Sequence, residues 1–452
     1  MSEVKNRNSI AFVAIVSLFF MWGFITCLND ILIPQLKTLF ELNRAGSMFV
    51  QFCFFGAYFL GSLVYFLISI LHGDPIAKIG YKKGIIAGLV VAAIGCALFY
   101  PASILKLYPI FLTGLFVLGL GLTLLQITAN PYVTILGTPE TASGRLNLSQ
   151  GFNSLGTTLA PMIGGILMFK LFNVSNLHIP YLIFSAIFFV LALVILFIPL
   201  PTFESPEARK AGAGALKHKN LILGIFAIFC YVGAEVSIGS SFINFAKELL
   251  PDISEQSAAN YLAFYWGGLM IGRFLGALTM ISFKNKLRQY GSMTLVAIGT
   301  FAIIIIINYI LHSDSFRPVE MLPYLIFIAI NLLGFMIGKN HPSKMISVFA
   351  GIAIILLIIA MITTGKVTLW LVLGTGLFNS VMWANIFSAS IAGLGKDTAQ
   401  GSSLLVMAIL GGAILPLIQG AFADYLGGYH YSFIIPILAY AYLIFFGMKV
   451  RN

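Results

Sequence analysis

Glu140-Thr141-Ala142-Ser143-Gly144 recurs 257 residues later as Asp397-Thr398-Ala399-Gln400-Gly401. Each copy follows an apolar run that ends in Asn-x-aromatic: Asn130-Pro131-Tyr132 in the first case, Asn385-Ile386-Phe387 in the second. Each precedes a Gly-rich run with an internal proline, Pro161 or Pro416. Five residues alone carry little, but the same order with the same flanks marks a duplicated half. Two halves related in parallel are an architecture of polytopic carriers, whose solute sites lie near mid-membrane.

The runs around the repeat are of membrane length. Of 452 residues, 59% are hydrophobic and only 9% charged, against about 25% charged in ordinary soluble domains. Apolar runs of about 20 residues, enough to cross a ~30 Å hydrocarbon core, recur from end to end. Lipid cannot satisfy backbone polar groups, so these runs are expected to be helices. They fall near 9–33, 47–71, 84–103, 108–135, 146–169, 179–200, 220–246, 257–282, 291–311, 319–338, 345–364, 368–392, 402–423 and 431–448. The reading is an all-α polytopic protein of about fourteen spans. A polar stretch at 201–219 divides a six-helix bundle (1–200) from a second bundle (220–452) with two extra helices. The best candidates for the extra pair lie at about 291–338, since an even insertion leaves later helices in their original orientation. The alternative is that one of these runs is re-entrant or interfacial.

The net charge of +11 is topological. With the N-terminus placed in the cytoplasm, 18 of the 26 Lys and Arg fall on the inner side and seven on the outer, and Arg273 lies within a span. That is the positive-inside bias, with both termini cytoplasmic, and it argues against a nucleic-acid partner. Cys27, Cys53, Cys96 and Cys230 sit in apolar spans without C-x-x-C pairing and read as small buried hydrophobes. All six histidines lie in loops or at span edges, so a histidine proton relay is not expected.

Apart from Glu320 at the edge of its run, three of the 41 charged residues fall inside apolar runs: Asp30, Glu235 and Arg273. An ionisable group at membrane depth costs roughly 2.5–3.5 kcal/mol or more and is seldom kept without a role. Asp30 shares a helical face with Thr26 and Asn29, which points that stripe toward a cavity. Glu235 lies about 15 residues into its span, or roughly 22 Å at 1.5 Å per residue. Both acids are candidates for carrying the coupling ion, H⁺ or Na⁺, and for a solvated end or a structural bond as the plainer alternative. Gln126 and Asn130 form one amide stripe, with Thr123; Gln150 and Asn153 form another, with Asn147 and Thr157. Paired donors and acceptors of this kind match the hydroxyls of a sugar, while helix–helix hydrogen bonding is the competing reading. Tyr265, Asn379 and Trp383 supply aromatic faces and an amide in the second half. Glu140, Arg145, Arg273 and Asp397 read as an inner-face gate network, with Arg273, between Gly272 and Gly276, in a structural or gating role with Asp397 or another inner-face acid as its partner. No cofactor, resident metal or catalytic residue is expected, since no HExxH, GxSxG or acidic metal motif occurs at membrane depth.

Several segments together resemble the fucose/galactose/glucose permease branch of the major facilitator superfamily. They are Leu-Phe-Phe-Met-Trp-Gly-Phe at 18–24, Cys-Leu-Asn-Asp-Ile-Leu-Ile-Pro at 27–34, the Gln51 to Phe59 run and Gly80-Tyr-Lys-Lys-Gly84. Leu-Gln-Ile-Thr-Ala-Asn-Pro-Tyr-Val-Thr at 125–134, Arg-Leu-Asn-Leu-Ser-Gln-Gly-Phe-Asn-Ser at 145–154 and Tyr-Val-Gly-Ala-Glu-Val-Ser at 231–237 complete the set. The resemblance covers nearly the whole chain except 291–338. It implies a monomeric, multi-pass transporter of a bacterial inner membrane, importing a monosaccharide such as glucose or galactose by cation symport. In fucose permeases an acid corresponding to Asp30 is implicated in coupling and sugar binding. Those permeases carry a further acid where this chain has Gln126, so Gln126 and Glu235 look more like the glucose/galactose members. A fucose or amino-sugar permease, a multidrug exporter of the same fold and a polytopic enzyme are the rival expectations.

Overall fold

The computed structural model describes residues 2–41, 44–165, 178–198, 200, 212–311, 316–339 and 341–450. It describes their side chains except at 2–11, 29–35, 37–38, 44–49, 51, 161–162, 164–165 and 255–256. Among the described residues all regular secondary structure is helical. The first half forms α1 (Ser2–Leu39), α2 (Arg44–His72), α3 (Tyr81–Leu105), α4 (Tyr108–Ile135), α5 (Ala142–Gly165) and α6 (His178–Phe197). Next come α7 (Lys219–Leu249), α8 (Glu255–Leu278), α9 (Lys286–Leu311), α10 (Pro318–Gly338) and α11 (Pro342–Ile362). The chain ends with α12 (Gly365–Ile391), α13 (Gly395–Leu426) and α14 (His430–Lys449).

Every expected span meets one of these helices, so the all-α polytopic reading holds, although the number fourteen is approximate. Among the described residues, eleven helices are long and apolar enough to cross a membrane. Of the other three, α1 contributes the shorter apolar stretch Phe12–Leu28. Helices α5 and α8 are diluted by polar and glycine positions such as Asn147, Gln150, Asn153, Asn260 and Arg273. Such dilution is tolerated where those groups face protein rather than lipid.

Contacts sort the chain into two compact units. One comprises Met1–Pro139, Leu155–Leu221 and Ile391–Leu410; the other comprises Glu140–Ser154, Ile222–Ser390 and Gly411–Asn452. The units therefore exchange two short pieces across the sequence halves, and each exchanged piece carries one copy of the repeated motif.

In the first unit α4 packs on both α2 and α3. Glycine makes the α3–α4 approach possible. A Cβ on Gly95 would sit 2.3 Å from the Leu118 nitrogen, and one on Gly121 would sit 2.4 Å from the Ala92 nitrogen. Backbone contact at that distance is how small residues replace the absent hydrophobic drive between helices in lipid. The first segment of α13, Thr398–Met407, packs on α2 and α4. Its Gln400 is fully buried, accepts from Ala215 N at 3.0 Å and donates to Ser69 Oγ at 3.1 Å and Gly212 O at 3.2 Å. The end of the polar 201–219 stretch is thereby tied to helices α2 and α13.

In the second unit α11 packs on α12 and α14, while α8 packs on α9 and α12. Helix α12 is interrupted. It runs from Gly365 to Asn379, turns at Ser380 and Val381, and resumes from Met382 to Ile391. An interruption in a span is sustainable only where protein groups take up the freed backbone polar atoms.

Candidate functional site: a buried ion pair and two sets of amides

Glu235 on α7 and Arg273 on α8 are both buried, with Glu235 Oε1 3.7 Å from Arg273 Nη2. The rest of the guanidinium is occupied as well. Its Nε donates to Ser380 O at 3.1 Å, and Nη1 donates to Gln150 O at 3.4 Å and to Ser154 Oγ. One cation thus joins α7, the first turns of α5 and the turn in α12. Its neighbour Gly272 makes room, since a Cβ there would lie 2.0 Å from Ser380 Oγ. The acid beside Arg273 is Glu235. Asp397, in the other unit, lies 3.9 Å from His218 Nε2.

A second chain of bonds starts on the same acid. Tyr265 Oη donates to the Glu235 carbonyl at 2.8 Å, Asn379 Nδ2 donates to Tyr265 Oη at 2.9 Å, and Tyr440 Oη donates to Asn379 Oδ1 at 2.7 Å. All four residues are buried. Beyond the α12 turn, Trp383 stacks on Phe387 with centroids 5.0 Å apart. Asn385 Oδ1 accepts from Ser143 Oγ at 2.6 Å. Gln150 is buried and Asn153 half-buried on α5.

In the first unit Gln126 and Asn130 stand one turn apart on α4, both buried. The hydroxyl of Tyr58 on α2 lies beside Gln126 and beside Trp22 and Thr26 of α1. Asn130 is fully buried, and among the described residues neither its Oδ1 nor its Nδ2 has a hydrogen-bond partner. More than nine in ten buried polar groups are paired, so an amide open at both ends is set to receive water or a polar solute. Asn29 and Asp30 lie on α1, with their side chains outside the described residues. Of the expected gate, Glu140 is exposed in the Pro139–Thr141 turn, Arg145 donates to Thr141 Oγ1, and Asp397 is buried.

Tyr58, Ser154, Tyr231, Ser380 and Tyr440 did not emerge as site residues from the sequence. Tyr231 could have: it precedes Glu235 by one turn, on the same face, and its hydroxyl lies beside both Glu235 and Arg273. The others join the network only through tertiary packing. Among the described residues no group of three or more His, Cys, Asp or Glu is placed to hold a metal.

A family model for the Major Facilitator Superfamily matches residues 9–338. The glucose/galactose transporter of Brucella abortus is 42% identical over 458 residues, covering 99% of this chain and 95% of that protein. The chain belongs to the Major Facilitator Superfamily, in its fucose/galactose/glucose permease branch. The L-fucose-proton symporter of Escherichia coli is 31% identical over 467 residues, covering 97% of this chain and 92% of that one. The crystal structure of a Major Facilitator Superfamily transporter, FucP, in the outward conformation matches with a TM-score of 0.75 at 29% identity, covering 99% of this chain and all of that one. As a member of this superfamily the chain is a multi-pass membrane transporter and not an enzyme. The buried ion pair and amides described above therefore lie within a transport scaffold.

Proposed function

We propose that this protein imports a monosaccharide, glucose or galactose, by proton symport with alternating access. The observation that carries the reading is the end-to-end likeness to a glucose/galactose transporter at 42% identity. The buried acid and the open and partnered amides supply suitable chemistry. Proton, rather than sodium, is favoured by the likeness to an L-fucose-proton symporter.

In this reading Asp30 and Glu235 carry the coupling proton. Gln126, Asn130, Gln150, Asn153 and Asn29 offer donors and acceptors to sugar hydroxyls, and Trp383 offers a ring face. Tyr265 and Asn379 are already bonded to each other, so they contribute mainly by fixing the wall around Glu235. Glu140, Arg145, Arg273 and Asp397 gate the cytoplasmic side. The moving bodies are the bundles 1–200 and 220–452 joined by 201–219, with helices 291–338 as an insertion in the second. A bacterial inner membrane, a monomer and cytoplasmic termini complete the assignment, supported by the positive-inside asymmetry. One inward proton contributes about 2.3 kcal/mol per 100 mV of membrane potential, enough for useful accumulation.

Labelled-glucose uptake into proteoliposomes tests this, with pH and sodium gradients imposed separately. Saturable uptake driven by an acid exterior and competed by galactose is the expected result. Uptake that ignores both gradients, or no saturable uptake, would remove the reading. Asp30→Asn is expected to abolish uphill uptake while sparing sugar counterflow.

A further inference from the structure

The turn that interrupts α12 leaves carbonyls that need donors, and one of those donors comes from a helix outside the described site. Asn331 on α10 is fully buried on a helix whose other buried residues over 324–338, Tyr324 apart, are apolar, and its Nδ2 donates to Leu377 O at 3.0 Å. Its Oδ1 has no partner among the described residues. A leucine there would match the helix and bury no orphaned oxygen, so the amide's contribution lies in the bond it donates. Ser380 Oγ donates to the same carbonyl at 2.6 Å, and Arg273 Nε donates to Ser380 O at 3.1 Å.

A second polar group on α10 behaves the same way. Tyr324 is fully buried, its hydroxyl donates to Phe264 O on α8 at 2.8 Å, and a Cβ on Gly268 would lie 2.0 Å from that hydroxyl. Asn308 on α9 offers the contrast: among the described residues its amide bonds only the Ile304 carbonyl of its own helix, at 2.9 Å.

We infer that α10 braces the interrupted helix, with Asn331 as a positioning residue that holds the α12 turn, and through it Asn379 and Trp383, in place. The inference rests on the proposed sugar site for its functional half and on geometry alone for its structural half. Helix α10 thereby takes a role in shaping the site, delivered through the Leu377 carbonyl.

Hydrogen exchange on the purified full-length protein separates the two halves. Asn331→Leu, close in volume, is expected to speed exchange of the amides at 380–383 about tenfold, and Asn308→Leu is expected to leave them unchanged. Tyr324→Phe, which removes only a hydroxyl, is expected to speed exchange at 264–268. In proteoliposomes Asn331→Leu should raise the KM for glucose about tenfold while Asn308→Leu leaves it within about twofold. Equal exchange at 380–383 in Asn331→Leu and Asn308→Leu would overturn the brace, as would faster exchange with an unmoved KM. If the unmodified protein takes up no sugar, the transport assignment falls, and the exchange comparison still decides the brace.

Discussion

Helices α4 and α12 hold corresponding places, each leading into one copy of the repeated motif, yet they treat polar groups in opposite ways. Helix α4 runs for 28 residues without a turn inside it, and only Pro131 withholds an N–H from its interior ladder, so it leaves fewer carbonyls without helical donors. It can therefore leave Asn130 buried with both ends open. Helix α12 is broken at Ser380 and Val381, and the break draws in Arg273, Asn331 and the Ser380 hydroxyl. Its Asn379 is bonded at both ends, to Tyr265 and Tyr440. A broken span consumes nearby donors and becomes a fixed wall; a continuous one can afford a receptive side chain.

The fixed wall should fail hardest at Arg273. Arg273→Leu removes the partner of Glu235 and three bonds to α5 and α12 in one step. Removing one member of a buried ion pair costs about 3–5 kcal/mol, because the remaining charge stays buried without compensation. Thermal unfolding in detergent should show a larger loss than Asn379→Leu or Asn130→Leu. The double variant Glu235→Gln with Arg273→Leu should recover part of it. A single variant as stable as the parent would mean that the ion pair does not hold the wall together.

Asn379→Leu comes next. It takes the acceptor from the Tyr440 hydroxyl and the donor from Tyr265, both fully buried. An orphaned buried donor costs about 1–3 kcal/mol, so a clear but smaller drop in unfolding temperature is expected. No change would show that the tyrosines find other partners and that α12 is less fixed than its bonds imply.

How much of this contrast was legible beforehand follows from which forces are local. Spans were readable because crossing lipid demands about twenty apolar residues and internally paired backbone, conditions a linear sequence displays. Asp30, Glu235 and Arg273 stood out for the same reason, as charges where charge is costly. The partner of Arg273 was not readable: Glu235 lies 38 residues away on another helix, and only packing of α7 against α8 sets their distance. The α12 break was hidden too, since Asn379-Ser380-Val381 contains neither proline nor glycine. Nor could hydropathy show that Glu140–Ser154 groups with the second-half helices, because that exchange depends on tertiary contacts alone.

The smallest expected effect on stability is the sharpest test of the contrast. Asn130→Leu removes an amide that has no partner among the described residues, so none of the bonds seen there is broken and no neighbour among them is orphaned. Replacing an unpaired buried polar group by an apolar one of similar shape is close to neutral or stabilising, and the unfolding temperature should hold or rise. Sugar uptake should respond in the opposite direction, with the KM for glucose rising about tenfold, as losing about 1.4 kcal/mol of binding would give. Stability and transport are then uncoupled on α4 and coupled on α12. If Asn130→Leu instead destabilises as much as Asn379→Leu, the amide has a structural partner, and α4 is a second fixed wall rather than a receptive one.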